Sequence, residues 1–468
     1  MASKRTSIHG QWSSRMAFLL AAAGSAIGLG NIWKFPYITG QNGGGAFVLT
    51  YLVCIALVGI PVMMAEIMLG RRGRQSPINT LRTLAVEEGG SRRWQYLGWG
   101  GVLAGFIILS YYSVIAGWAL AYVFRAASGM FVAASPEQIN AIFAALVADP
   151  ERLLAWHTLF MAMTVIVVAR GVRSGLERAV KFMMPALLII LLVLVGYAMN
   201  SGKFMDGYHY LFDADFSRLT GKGILIALGH AFFTLSLGMG AIMVYGSYLP
   251  QQVSIGRATV AIAVLDTVVA LLAGLAIFPL VFASGLSPGE GPGLVFKTLP
   301  IAFGHMPGGT LFGTLFFILL VFAAWTSSIS LAEPAVAWLV ENHHMTRVKA
   351  VTWSGIAAWL LGIASVLSFN RWSGFAPLAV VPGFETKTVF DLLDFLASNI
   401  LLPLGGLLIA LFAGWVMSRA SSAEELALGN LGYRIWRFVL RYVAPLAILL
   451  VFLNLLGVID PLRRIVGL

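Results

Sequence analysis

A chain of 468 residues that is 59% hydrophobic and 11% charged, with a mean hydropathy of +0.86, lacks the polar surface that a water-soluble globule needs. Its net charge of +11 comes from basic residues in short loops between apolar runs, with no stripe of interleaved aromatics, which argues against a nucleic-acid partner and leaves the charges as topology signals. One cysteine, Cys54, lies within an apolar stretch, where it reads as a small core residue, so neither a disulfide framework nor a thiolate metal centre is expected. The composition is that of a polytopic membrane protein in a lipid bilayer.

Lys4 and Arg5 precede an apolar run in the manner of a signal peptide, yet Asn31, Lys34 and Pro36 follow soon after, and the run fits a retained helix better. That first run, 16–40, contains the string AGSAIGLGNIWKFP at 23–36, which places glycines, Asn31 and Lys34 at bilayer depth. Backbone freed there must find its partners inside the protein, so the break marks a cavity-lining site. The bland alternative is a glycine-rich packing face. Further segments of spanning length, about 20 residues each, are expected at 44–70, 95–125, 153–170, 176–200, 222–248, 256–284, 311–340, 348–369, 390–417 and 435–458. With the N-terminus in the cytoplasm, 20 lysines and arginines fall inside and 10 outside, Lys34 being within the membrane. The positive-inside rule therefore favours a cytoplasmic N-terminus and an external C-terminus.

Five segments after the first break a second appears in FFTLSLGMG, 232–240, again polar and glycine-rich at mid-span. The odd offset makes the second unit enter from the opposite side, and paired breaks in inverted halves point to a secondary-transporter site. Broken half-helices offer unpaired amides to a carboxylate and unpaired carbonyls to a hard cation. A sodium-like ion asks for further oxygen ligands. Asn31, Thr234, Asp266, Thr326, Ser327 and the Ala323 carbonyl are the candidates. Asp266, flanked by apolar turns, is a functional-site candidate by default, with a structural acid bonded to a nearby amide as its rival. Glu66, nearer the basic end at Arg71, reads more as part of a structural network.

The strings GSAIGLGNIWKFP, NGGGAF, FFTLSLGMGA and FAAWTSSIS resemble the neurotransmitter:sodium symporter family in several motifs and in order, from Trp12 to the last segment. The resemblance implies an all-α integral membrane fold: an inverted five-helix repeat with unwound helices 1 and 6, eleven transmembrane helices, and one domain over 1–468. The repeats would cover about 12–200 and 222–417, with an additional helix at 435–458. It also implies sodium-coupled uptake of a small amino compound by alternating access, not an enzyme, in the inner (plasma) membrane. The first sodium would be held by the Ala26 carbonyl, Asn31, Thr234, Asp266 and the substrate carboxylate. The second would be held by the carbonyls of Gly24, Ile27 and Ala323 with Thr326 and Ser327. The substrate would touch Ser25, Ala26, Leu29, Gly30, Ile108, Tyr112, Phe233, Thr234, Ser236, Met239, Ser327 and Leu331.

Relatives that carry biogenic amines have an aspartate where this chain has Gly28, so its substrate is expected to bring its own carboxylate, as a neutral or hydrophobic L-amino acid does. Ile108, Phe233, Met239 and Leu331 would line the side-chain pocket, and flexible Met239 lets it accept aromatic as well as aliphatic groups. Lys34 and Asp394 match the family's outer gate, with Phe233 as a lid. Trp12 and Glu341 match the inner one, where His9 replaces the usual arginine and Arg5 is the alternative cation. Gly175 and Pro185 match a pattern of local unwinding, with an ordinary glycine start and proline kink as the alternative. Chloride is not expected to be required, since Asp266 supplies a carboxylate, although Ala270 lacks the acid of one relative and His230 replaces the usual glutamine. The competing functions are a same-fold symporter for a γ-amino or N-methylated acid, a solute-gated channel and a non-transporting sensor. Oligomeric state is not legible.

Overall fold

The computed structural model describes residues 5–286 and 293–455, which are helical with no β-strand among them. Nine continuous helices among these residues are long and apolar enough to cross a membrane: Gly45–Gly73, Arg92–Ala127, Pro150–Ala169, Val172–Met199, Ile255–Ala283, Gly309–His343, Arg347–Ser368, Val389–Val416 and Asn430–Asn454. The pair Arg15–Ala26 and Gly30–Gln41, bent by 49°, makes a tenth if counted as one span. Gly221–Thr234 and Ala241–Ser247 are each too short to span alone. Taken as one broken segment, they fill the sixth of the eleven expected places, and the segments are numbered first to eleventh on that basis. Every described boundary falls within five residues of its sequence expectation; the expected end of the last segment at 458 lies outside the described residues.

Helices that the hydropathy pattern did not announce cover Pro77–Glu87, Pro136–Ala148, Phe204–Phe212 and Arg419–Leu426. They are too short or too polar to register as spans. Pro136–Ala148 begins with a capping box, Ser135 and Gln138 each satisfying the other's backbone amide.

Both breaks have local causes. Ile27 leaves the helix with φ −72° and ψ 98°, and the chain resumes in a wide π-helical turn over Gly30–Lys34. After Thr234, the chain turns through Ser236, Gly238 and Gly240 at φ 54°, 82° and 76°, a left-handed path that glycine takes without strain. Ser236 tolerates it with its hydroxyl donating to the Ser25 carbonyl at 2.9 Å, so one break braces the other.

The core forms around these two segments. Of the most apolar stretch of the third segment 89% is buried, and of the eighth 78%, against 28% for the eleventh, which lies on the outside. A Cβ at Gly70 would stand 1.9 Å from the Met243 carbonyl oxygen, and one at Gly246 2.8 Å from that of Ile67. The second segment and Ala241–Ser247 therefore lie backbone to backbone, closer than any pair of larger residues permits. Gly175 sits in a π-helical turn, Val172–Glu177, ahead of the regular helix Arg178–Met199 that contains Pro185.

Candidate functional site

Asp266 is fully buried on the seventh segment and accepts three side-chain donors from three other segments. Asn31 Nδ2 donates to Oδ1 at 2.8 Å, the Thr234 hydroxyl lies 3.1 Å from both carboxylate oxygens, and the Tyr51 hydroxyl reaches Oδ2 at 3.5 Å. The Asn31 side-chain oxygen, Oδ1, turns back to accept from the Gly28 amide at 3.2 Å. A carboxylate that burial would otherwise expel is thus held by neutral donors, and no cation among the described side chains pairs with it. Asn31, Thr234 and Asp266 form a group of hard oxygens with one negative charge, the donor type an alkali cation requires.

A second oxygen group lies between the first and eighth segments. The Ser327 hydroxyl lies 3.1 Å from the Ser25 carbonyl oxygen and 3.4 Å from those of Gly24 and Ile27. Thr326 Oγ1 donates to the Ala323 and Phe322 carbonyls at 3.0 and 3.1 Å. The Gly24, Ser25 and Ile27 carbonyls lack helical donors because Ile27 breaks the ladder that would have used them. Glu66 is a bracing residue: its Oε1 accepts from the Gly238 amide at 2.7 Å and fixes the second break.

Between the two groups lies a cavity lined by Ser25, Ala26, Gly28, Leu29, Gly30, Tyr112, Phe233, Ser236, Met239, Ser327, Ser330 and Leu331. It contains about 340 Å³ of atom-free space, of which about 30 Å³ admits the centre of a water molecule. The second value is far below the roughly 300–1,000 Å³ of a small-molecule site, so wall side chains such as Met239 and Phe233 must part to admit a solute. The Tyr112 hydroxyl accepts from the Leu29 amide at 3.2 Å, which fixes one edge of the broken backbone. Ser25 donates to Ser330 at 2.7 Å, and Ser330 to the Ser327 carbonyl at 2.8 Å, so the hydroxyl floor is already ordered.

The cavity is covered on both sides. On one, the Lys34 ammonium lies 4.4 Å from the centre of the Phe233 ring and holds it by a cation–π contact. Lys34 and Asp394 do not form the expected ion pair: Asp394 Oδ1 instead accepts from Tyr111 and Ser398, each at 2.9 Å. On the other side, residues 9–14 lie across the mouth as a strap. His9 Nε2 is 3.1 Å from Glu341 Oε1, and that carboxylate also accepts from the Ser76 amide at 2.7 Å and Asn79 at 2.8 Å. Trp12 is 1% exposed, with its indole donating to the Tyr245 carbonyl at 3.0 Å. The Ser13 amide bonds Glu177 at 3.0 Å. Arg5 pairs with Glu87, so His9 is the residue that meets Glu341.

The model of the sodium:neurotransmitter symporter family matches residues 9–135 and 149–464. This chain belongs to that family. It is similar to a sodium-dependent transporter of Bacillus subtilis, YhdH, at 43% identity over 96% of this chain and 98% of the relative. It is similar to a sodium-dependent transporter of Haemophilus influenzae at 34% identity over 95% and 97%. Among solved structures, MhsT in complex with L-phenylalanine aligns with a TM-score of 0.86 and 44% identity, covering 95% of this chain and 99% of that one. The protein is a multi-pass membrane transporter coupled to sodium, and not an enzyme.

Of the twelve residues expected to meet the symporter's substrate, ten line the cavity, while Thr234 turns to Asp266 and Ile108 is buried beside the lining. Two further residues line it: Gly28, singled out from the sequence for the carboxylate it lacks, and Ser330, which the sequence did not single out although its place three residues after Ser327 puts it on the same face. His230, the departure that complicated the chloride expectation, is 3% exposed between Phe35 and Tyr51, with neither ring nitrogen bonded. Ala270 is fully buried on the seventh segment, one turn beyond Asp266.

Proposed function

We propose that this symporter carries neutral, hydrophobic L-amino acids inward across the plasma membrane, each with two sodium ions and without chloride, by alternating access between inverted repeats. The observation that carries the reading is Gly28. A wall without a carboxylate at that place, beside the broken backbone and Asn31, leaves room for the substrate's own carboxylate to complete the shell of Ala26, Asn31, Thr234 and Asp266. Leu29, Phe233, Met239 and Leu331 then receive an apolar side chain. The bound L-phenylalanine of MhsT, at 44% identity, supports the same substrate class. Asp266 supplies the negative charge that an anion would otherwise bring. The basic loops support a cytoplasmic N-terminus, which makes the strap the inner gate and Lys34, Asp394 and Phe233 the outer one. Uptake of a panel of L-amino acids into proteoliposomes, with γ-amino and N-methylated acids as competitors and sodium and chloride varied separately, tests the reading. Uptake restricted to the competitors, or absent without chloride, would overturn it.

Two further expectations follow from the geometry. Replacing Thr326 and Ser327 by alanine removes two oxygens from the second group, and the sodium concentration for half-maximal uptake should rise roughly tenfold for each lost interaction with a charge. A change confined to amino acid affinity at saturating sodium would count against this assignment. At the strap, His9 Nε2 meets Glu341 Oε1 at 3.1 Å, and arginine in its place would carry a permanent charge. With Cys54 removed, a cysteine placed in the cytoplasmic pathway should be more reactive in His9→Ala than in the parent, and His9→Arg should restore the low reactivity. Equal reactivity in His9→Ala and the parent would remove His9 from the gate.

A further inference from the structure

We propose that the groove bounded by the start of the first segment and by the second, seventh and eleventh segments binds an anionic phospholipid. Its phosphate would lie between Arg15 and Arg257, and its acyl chain along Leu57, Val260, Val264 and Ile435. By room for a water's centre, the groove is about 1290 Å³, far larger than the central cavity and separate from it.

Two observations on different chemistry meet there. Arg15 and Arg257 are exposed on its wall, and neither guanidinium makes a hydrogen bond or ion pair with any described residue. The acids on the same wall do not answer them. Glu425 is paired with Arg71, and Glu424 reaches Arg72 at 3.3 Å. The groove therefore keeps a net positive charge at the end of the helices where the basic loops gather. Leading away from the arginines is an apolar channel built from three segments, with Leu57 53%, Val260 46%, Val264 54% and Ile435 56% exposed. Its floor is firm, because the Trp436 indole donates to the Pro61 carbonyl at 3.1 Å and ties the eleventh segment to the second.

A free phosphate would satisfy the arginines and leave the channel bare. A zwitterionic lipid would fill the channel but bring its own cation to the arginines. One molecule with a net negative headgroup and an acyl chain satisfies both, and basic pockets between helices at a membrane surface recognise lipids in this way. The lipid-facing arginine stems can lie along the apolar wall with their heads at the interface.

The experiment uses the full chain, delipidated in detergent and titrated with palmitoyl-oleoyl phosphatidylglycerol or phosphatidylcholine, with bound lipids counted by native mass spectrometry. The intact protein should hold phosphatidylglycerol at about tenfold lower concentration than phosphatidylcholine, and millimolar inorganic phosphate should not displace it. Arg15→Gln with Arg257→Gln should remove the preference while leaving the protein monodisperse, since both side chains are exposed. Val264→Trp, which fills the channel with the charges intact, should weaken both lipids. An unchanged preference in the double variant, displacement by phosphate, or full binding in Val264→Trp would each overturn the assignment.

Discussion

Asp266→Ala is expected to abolish sodium-driven uptake. The carboxylate is the only ionised group in the first oxygen cluster, and Asn31, Thr234 and Tyr51 all point donors at it. A unit charge about 3 Å from a cation is worth on the order of 5 kcal/mol at an effective dielectric near 20, more than about a thousandfold in ion affinity. The variant also leaves buried donors without an acceptor, at about 1–3 kcal/mol each, so its elution as a monodisperse species is part of the measurement. Asp266→Asn keeps the shape and removes the charge. It should fold normally, transport slowly and gain stimulation by chloride, the anion restoring the missing charge. Undiminished sodium dependence in Asp266→Ala would remove the residue from the ion site, and indifference of Asp266→Asn to chloride would show that its charge does not stand in for an anion.

Gly28→Asp should eliminate amino acid uptake through two separable effects. Any Cβ at Gly28 would stand 2.5 Å from Ser327 Oγ and 3.0 Å from the Tyr112 hydroxyl. The serine must turn away, and its contacts with the Gly24, Ser25 and Ile27 carbonyls go with it. Gly28→Ala isolates that effect and should raise the sodium requirement while amino acids still bind. The aspartate adds a second carboxylate against the substrate's own, and like charges at contact cost several kcal/mol, or at least about 100-fold in affinity. Equilibrium binding of labelled amino acid at saturating sodium separates the two. Equal affinity in the alanine and aspartate variants would place the substrate carboxylate elsewhere.

Both breaks, Asp266 and the positions of the segments could be read from the sequence because a membrane tolerates no unpaired backbone and few charges, and each exception stands out against an apolar background. The oxygen groups were legible for the same reason: Asn31, Thr234, Thr326 and Ser327 are polar where the surroundings are not. What was not legible depends on distance. Lys34 and Asp394 belong to segments far apart in the chain, and whether they touch is set by how closely those two segments approach. No local pattern records that, and here Lys34 settles on Phe233. The choice between His9 and Arg5 turned on the path of the strap, which a polar segment of ten residues does not announce. Ser330 shows the opposite difficulty, a residue so ordinary for a membrane helix that only its neighbours reveal it.

The backbone contact between the second segment and Ala241–Ser247 joins two ends of the molecule rigidly. On one side of this joint the chain carries Ser236 and Met239 at the cavity. At the joint Tyr245 holds Trp12, and Ser76 and Asn79, just past the end of the second segment, hold Glu341. With no side chains at Gly70 and Gly246 to absorb a tilt, the two helices are expected to turn as one plank. Under the proposed alternating access, a solute pressing on one end would move the latch at the other, and the stiffness of the joint would set how little of that stroke is lost.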